Sequence, residues 1–176
     1  ANYSEILHHH LKNGTKGVVP AGTTGEAPTL SHIEHKKVIE IAIKECKGKI
    51  PVIAGTGSNS TSEAIELSKH AENAGADGLL IVTPYYNKPT QAGLYAHFAA
   101  VAEAVDLPVI VYDIPGRSIV QVAEETLVRL AADYPNINRI KDATADVARP
   151  TRIRNLLGAD FAQLSGEDAT ALPYLA

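Results

Sequence analysis

Gly78-Leu79-Leu80-Ile81-Val82 is an unbroken apolar run of strand length, and Thr83-Pro84-Tyr85-Tyr86 follows it without a gap. A strand with one face in water alternates apolar and polar residues, whereas an unbroken run needs cover on both faces, as in a parallel sheet flanked by helices. Working outward, five more runs of this kind can be read: Gly17-Val18-Val19, Pro51-Val52-Ile53-Ala54, Pro108 to Tyr112, Ile137 to Lys141, and Phe161 to Leu164. Helical patterns lie between them. Ser31 with Glu34, and Ser60 with Glu63, have the spacing of N-terminal capping boxes. Ile39, Ala42, Ile43 and Cys46 form one apolar stripe, and Leu94, Phe98, Val101 and Val105 another. Gly48, Gly75 and Gly158 stand where helices should stop. The unit recurs at roughly 24 to 33 residues, the period of consecutive βα units.

Such units either close into a barrel or form an open, doubly wound sheet. Side chains capable of chemistry follow strand after strand: Thr23 and Thr24, Asn59, Tyr85 and Tyr86, Tyr112 with Arg117, Lys141, and Ser165. A barrel gathers all its strand C-termini around one mouth, while an open sheet concentrates its site at a switch point. The expected fold class is therefore α/β, a (β/α)8 TIM barrel, with residues 1–176 forming a single, partial barrel domain. Only six strands can be read. Tyr3 to Lys12 reads as a helix with no strand before it, and a helix starting near Asp168 runs to the end. The first and eighth strands and any C-terminal helices are expected to lie outside this sequence. With no methionine, residue 1 is not an initiator.

The composition narrows the class of protein further. Apolar residues make up 45% of the 176 and charged residues 20%, close to ordinary globular usage. A formal charge of −4 with no basic run argues against a nucleic-acid surface. The apolar runs fall far short of the ~20 residues that a membrane span needs. A single cysteine, Cys46, excludes an internal disulfide framework and fits a reducing compartment. No segment combines the parts of a secretion signal, so a cytoplasmic location is expected.

Lys141 closes the run Ile137-Asn138-Arg139-Ile140-Lys141 and precedes Asp142-Ala143-Thr144. A lysine held in an enclosed barrel mouth loses hydration, which disfavours its charged form and exposes a nucleophilic amine. An isolated lysine at a strand end is more often a surface charge, and spacing alone does not overturn that. Gly22-Thr23-Thr24-Gly25-Glu26 offers backbone N–H groups and hydroxyls to a carboxylate, but it lacks a P-loop lysine. In Tyr112-Asp113-Ile114-Pro115-Gly116-Arg117, a phenol can relay protons and an arginine can grip a carboxylate. Tyrosines packing at loop edges are the bland alternative here and at Tyr85-Tyr86.

Taken together, Gly22-Thr23-Thr24-Gly25-Glu26, Pro84-Tyr85-Tyr86-Asn87, Tyr112 to Arg117 and Ile140-Lys141-Asp142-Ala143-Thr144 resemble the dihydrodipicolinate synthase / N-acetylneuraminate lyase family, over the whole chain and in order. The first three motifs are most similar to its synthase branch. The resemblance implies a class I aldolase-type lyase in the route to diaminopimelate and lysine. Lys141 would form a Schiff base with pyruvate. Tyr112 would be the acid/base, linked through Thr23 to Tyr86 of a neighbouring subunit. Thr24 would hold the pyruvate carboxylate, Arg117 would hold the carboxylate of aspartate semialdehyde, and Gly166 would line the site. It further implies no cofactor and no metal, a homotetramer built as a dimer of dimers, and L-lysine as a feedback inhibitor. Asp142 stands where many members have glutamate, and Ala27-Pro28 where some have Ser-Ala.

His8, His9 and His10 cannot converge on one ion, because successive helical residues point about 100° apart. His32 and His35 share a helix face. With Asn59, Glu63 and Tyr85 they resemble the family's allosteric lysine pocket at a dimer interface, although Glu63 also has its own role as a capping-box acid. Two rival readings stay open: a sister pyruvate aldolase acting on sugar acids or other aldehydes, and a non-catalytic barrel kept for binding.

Overall fold

The computed structural model describes residues 2–175. Helix α1 (Tyr3–Lys12) opens with a capping box at Asn2 and leads to Val18, which makes an isolated parallel bridge to Val52. The chain then builds α2 (His32–Cys46), β1 (Ile53–Gly55), α3 (Thr61–Ala74), β2 (Gly78–Val82), α4 (Gln91–Glu103) and β3 (Val109–Asp113). There follow α5 (Pro115–Ser118), α6 (Glu124–Asp133), β4 (Ile137–Asp142), α7 (Arg149–Leu157), β5 (Ala162–Ser165) and α8 (Ala171–Leu175).

The five strands pair in parallel and in chain order, β1-β2-β3-β4-β5. No strand doubles back past its predecessor, so the described sheet has no switch point. It curves as an arc of a (β/α)8 barrel rather than an open, doubly wound sheet. Alternate residues separate two cores. Leu79, Ile81, Val109, Val111, Ile137 and Ile140 face the helices and join the main core. Leu80, Ile110 and Tyr112 form a smaller cluster on the opposite, inner face, with Ile53 and Val82 against it. The anticipated stripes are buried: Ile39, Ala42 and Cys46 of α2, and Leu94, Phe98 and Val101 of α4. Each large side chain among them contributes roughly 1.5–3 kcal/mol by leaving water.

Two expectations need correction. Gly17 to Val19 forms no regular strand. Val18 exchanges hydrogen bonds with Pro51 O and Ile53 N, and Pro20 O accepts from Gly55 N, but the ladder stops there. Pro20 has no N–H to donate, and Ala21 turns the chain away at φ 54°. Ser60 and Glu63 do not form a capping box either, since Ser60 makes no side-chain cap and the Glu63 carboxylate turns to Ser58 and His32. The box at Ser31 and Glu34 does form. Gly75 and Gly158 cap α3 and α7 at positive φ.

Candidate active site

The strand register sets the site. Tyr112 on β3 pairs with Lys141 on β4, and both point to the inner face at the C-terminal ends of their strands. The Lys141 Nζ lies 4.3 Å from the centroid of the Tyr112 ring. Burial holds the lysine below its ordinary range, and the Asp168 charge opposes this only in part. The ring contact also favours the ammonium, while the lost hydration works against it. Burial also pushes the Tyr112 phenol up, against the Thr23 hydroxyl and the Arg117 charge, which pull it down. A weakly acidic phenol over a partly dehydrated amine can pass a proton to and from an oxygen forming at that amine.

Gly166 follows β5 and donates its N–H to Asp142 O at 2.7 Å. A Cβ at this position would stand 3.0 Å from Lys141 Cε and 3.0 Å from Ala143 Cβ. The lysine side chain therefore lies across a surface that only glycine leaves clear. The backbone at Ala21 and Gly22, where the turn begins, leans on β1, because a Cβ on Gly55 would be 2.2 Å from Ala21 O.

A cavity of about 380 Å³ opens in front of Tyr112. Thr23, Tyr112 and Arg117 line it, and so do His32, Glu63 and Tyr85. Lys141 is not among the residues that line this cavity, but its amine contacts the Tyr112 ring, which is. His35 also reaches it, but the ring is buried and its Nε2–H donates to Gly55 O at 2.7 Å. Glu63 binds His32 Nε2 with one oxygen and the Ser58 hydroxyl with the other, and the Ser58 bond is the main cause of its lowered pKa. Asn59 contributes only its carbonyl, which accepts from the Asn87 amide at 3.2 Å. Thr24 is exposed at the tip of its turn, away from the lining. Tyr86 is 84% exposed at φ 74° and reaches none of these residues. A bulky residue with positive φ is a strained arrangement.

Sequence reasoning missed one cluster next to this site. Arg149, Asp113 and Asp142 are all buried, and Arg149 Nη1 lies 2.8 Å from Asp113 Oδ2 and 3.3 Å from Asp142 Oδ2. A faint signal existed. Each acid follows the inward residue of its strand, so both face the helices, where a parallel sheet expects apolar side chains. Two acids in such places call for a cation.

The fold and the site together define a (β/α)8-barrel protein with a lysine–tyrosine pair at the barrel mouth. The sequence profile of the Dihydrodipicolinate synthetase family matches residues 1–176, and the chain belongs to that family. It is 55% identical over 174 residues to the 4-hydroxy-tetrahydrodipicolinate synthase of Rhodopseudomonas palustris, covering 99% of this chain and 58% of that protein. Dihydrodipicolinate synthase from Acinetobacter baumannii, solved in complex with pyruvate, superimposes with a TM-score of 0.94 at 51% identity, over 98% of this chain and 59% of that one. The enzyme from Cyanidioschyzon merolae, solved with lysine bound, gives 0.95 at 44% identity, over 98% and 59%. The chain thus spans a little under three fifths of these relatives.

Proposed function

We propose that the protein carrying this chain is a Schiff-base lyase with the activity by which its curated relatives are named, condensing pyruvate with aspartate semialdehyde. The observation that carries this is the Lys141–Tyr112 pair, a partly dehydrated amine against a phenol at a barrel mouth. The Lys141 amine adds to the pyruvate carbonyl, and Tyr112 protonates the departing hydroxyl, so water leaves and an imine remains. Loss of a methyl proton gives the enamine, whose carbon attacks the aldehyde. The amine of the second substrate then closes onto the imine carbon and frees Lys141. Thr23 lines the same cavity as Tyr112 and serves as its relay partner. The family resemblance gives the pyruvate carboxylate to Thr24, which in this chain is exposed and outside the cavity lining, and Gly166 keeps the path of the lysine open. Arg117, at the cavity wall, takes the carboxylate of aspartate semialdehyde.

Tyr86 projects from this chain into solvent, which suits a residue that completes the relay in a neighbouring subunit, and a homotetramer follows the family. The placing of His32, Glu63 and Tyr85 in the wall of this cavity supports feedback inhibition by L-lysine. His35 supports the wall of that pocket through Gly55, and Asn59 supports it through Asn87. Steady-state turnover of the full-length protein with pyruvate tests the substrate. Aspartate semialdehyde should exceed sugar-derived aldehydes by at least about a hundredfold in kcat/KM. Equal or reversed preference would point to a sister aldolase. Titration with L-lysine should lower the initial rate, and an unchanged rate would remove the regulatory part.

A further inference from the structure

The buried ion cluster lies on the helix-facing side of β3 and β4, just behind the lysine and the tyrosine. Asp113 follows Tyr112, Asp142 follows Lys141, and the two acids are register partners across the strands, as are Tyr112 and Lys141. Arg149, from the first turn of α7, bridges the acids with Nη1 and donates from Nη2 to Val122 O at 2.7 Å. Asp113 Oδ2 accepts the Val122 N–H at 3.1 Å, so the acid and the arginine hold both backbone groups of that residue. Val122 lies in the short segment between α6 and α5, the turn of helix that carries Arg117. Asp142 Oδ1 accepts the Thr144 N–H at 2.8 Å and so holds the turn after the lysine.

We propose that Asp113, Asp142 and Arg149 form a positioning clamp that sets the height of Lys141 against Tyr112 and secures the segment following α5, which carries Arg117, without touching substrate. The proposal rests on the aldolase reading of Lys141. Its physical ground is the register. The β3–β4 ladder shifts between Val109 and Ile110, so the alignment of Tyr112 with Lys141 rests on the four pairs above the shift, Ile110–Arg139 to Asp113–Asp142. One planar guanidinium reaching three anchors on two strands and a loop braces the open end of that short ladder. The arrangement is also expensive as mere packing. Two acids share one cation, and neither Asp113 Oδ1 nor Arg149 Nε has a hydrogen-bond partner among the described residues. An apolar trio of similar volume would hold the same space at lower cost.

The test uses the full-length protein and two variants, Arg149→Lys, which keeps the charge but loses the fork, and Asp113→Asn, which keeps the shape. The readouts are melting temperature and the rate of borohydride-trapped pyruvate adduct at saturating pyruvate across pH. The clamp predicts trapping at least about tenfold slower per folded molecule, because small misplacements of reacting groups cost that much or more. It also predicts that the midpoint of the pH profile moves upward, as a loosened Lys141 regains hydration. Asp113→Asn carries the test if Arg149→Lys does not fold. Folded variants with the wild-type rate and midpoint, or with a lowered melting temperature alone, would overturn the clamp. A wild-type protein that forms no adduct would instead overturn the aldolase reading on which the clamp rests.

Discussion

At the residue scale, Gly166 and Lys141 make a sharp pair. A Cβ on Gly166 would press the flexible end of the lysine and the Ala143 methyl, both at 3.0 Å. Gly166→Ala should therefore disturb the amine more than the fold. We expect imine formation to slow about tenfold or more, with a melting temperature close to wild type; wild-type trapping kinetics would contradict it. Asp113 gives a prediction with a definite sign. Burial is the main cause that raises its carboxyl to about 6, with Arg149 and the Val122 amide opposing. The folded protein thus holds this proton at pH values where the unfolded chain, at about 3.9, has lost it. Between those limits the native state binds more protons, so this group's contribution to stability falls as pH rises and stays low above about 6. Asp113→Asn removes the titration. Its melting temperature relative to wild type should be higher at pH 7 than at pH 4, and the reverse order would refute the assignment.

At the scale of elements, most of the molecule was legible because its periodicities are strong. The unbroken runs at Gly78 to Val82 and Val109 to Tyr112 became β2 and β3, and Tyr3 to Lys12 became α1 at those very bounds. The misses have local causes. Val18 lost its strand to Pro20, and Ser60 lost its cap because Ser58 and His32 compete for Glu63. Neither competitor sits at a spacing that a capping pattern can see. The buried arginine was invisible for a similar reason, since its partners lie 36 and 7 residues away on other elements. Close packing of turn on strand yields an element-scale contrast. Gly55→Ala would force its Cβ to 2.2 Å from Ala21 O, backbone against backbone, whereas Gly116→Ala meets nothing within 4 Å. Chemical denaturation should show Gly55→Ala destabilised by about 1–3 kcal/mol or more and Gly116→Ala within about 0.5 kcal/mol of wild type. Equal effects would mean that the turn does not rest on β1 as described.

At the scale of the whole molecule, the strand order matters most, because five parallel strands in chain order bring residues from distant segments to one mouth. That convergence was legible in the polar residues following successive strands. The reach of Tyr86 could be expected only from the family resemblance, since within this chain the tyrosine stands exposed at φ 74°. The proposed exchange between subunits can be tested by complementation. Lys141→Ala and Tyr86→Phe proteins should each be nearly inactive. Co-expressed, their mixed dimers rebuild one intact site in two, and random pairing then restores about a quarter of wild-type activity. No recovery, despite mixed dimers being present, would return Tyr86 to its own subunit.

The central claim is that Lys141 is the imine-forming residue, and the most direct test is to treat the full-length protein with pyruvate and borohydride and map the modified peptide. The account predicts a single reduced pyruvate adduct on Lys141, absent in Lys141→Arg, whose guanidinium stays protonated. A protein that takes up no pyruvate, or carries it on another lysine, would contradict the account.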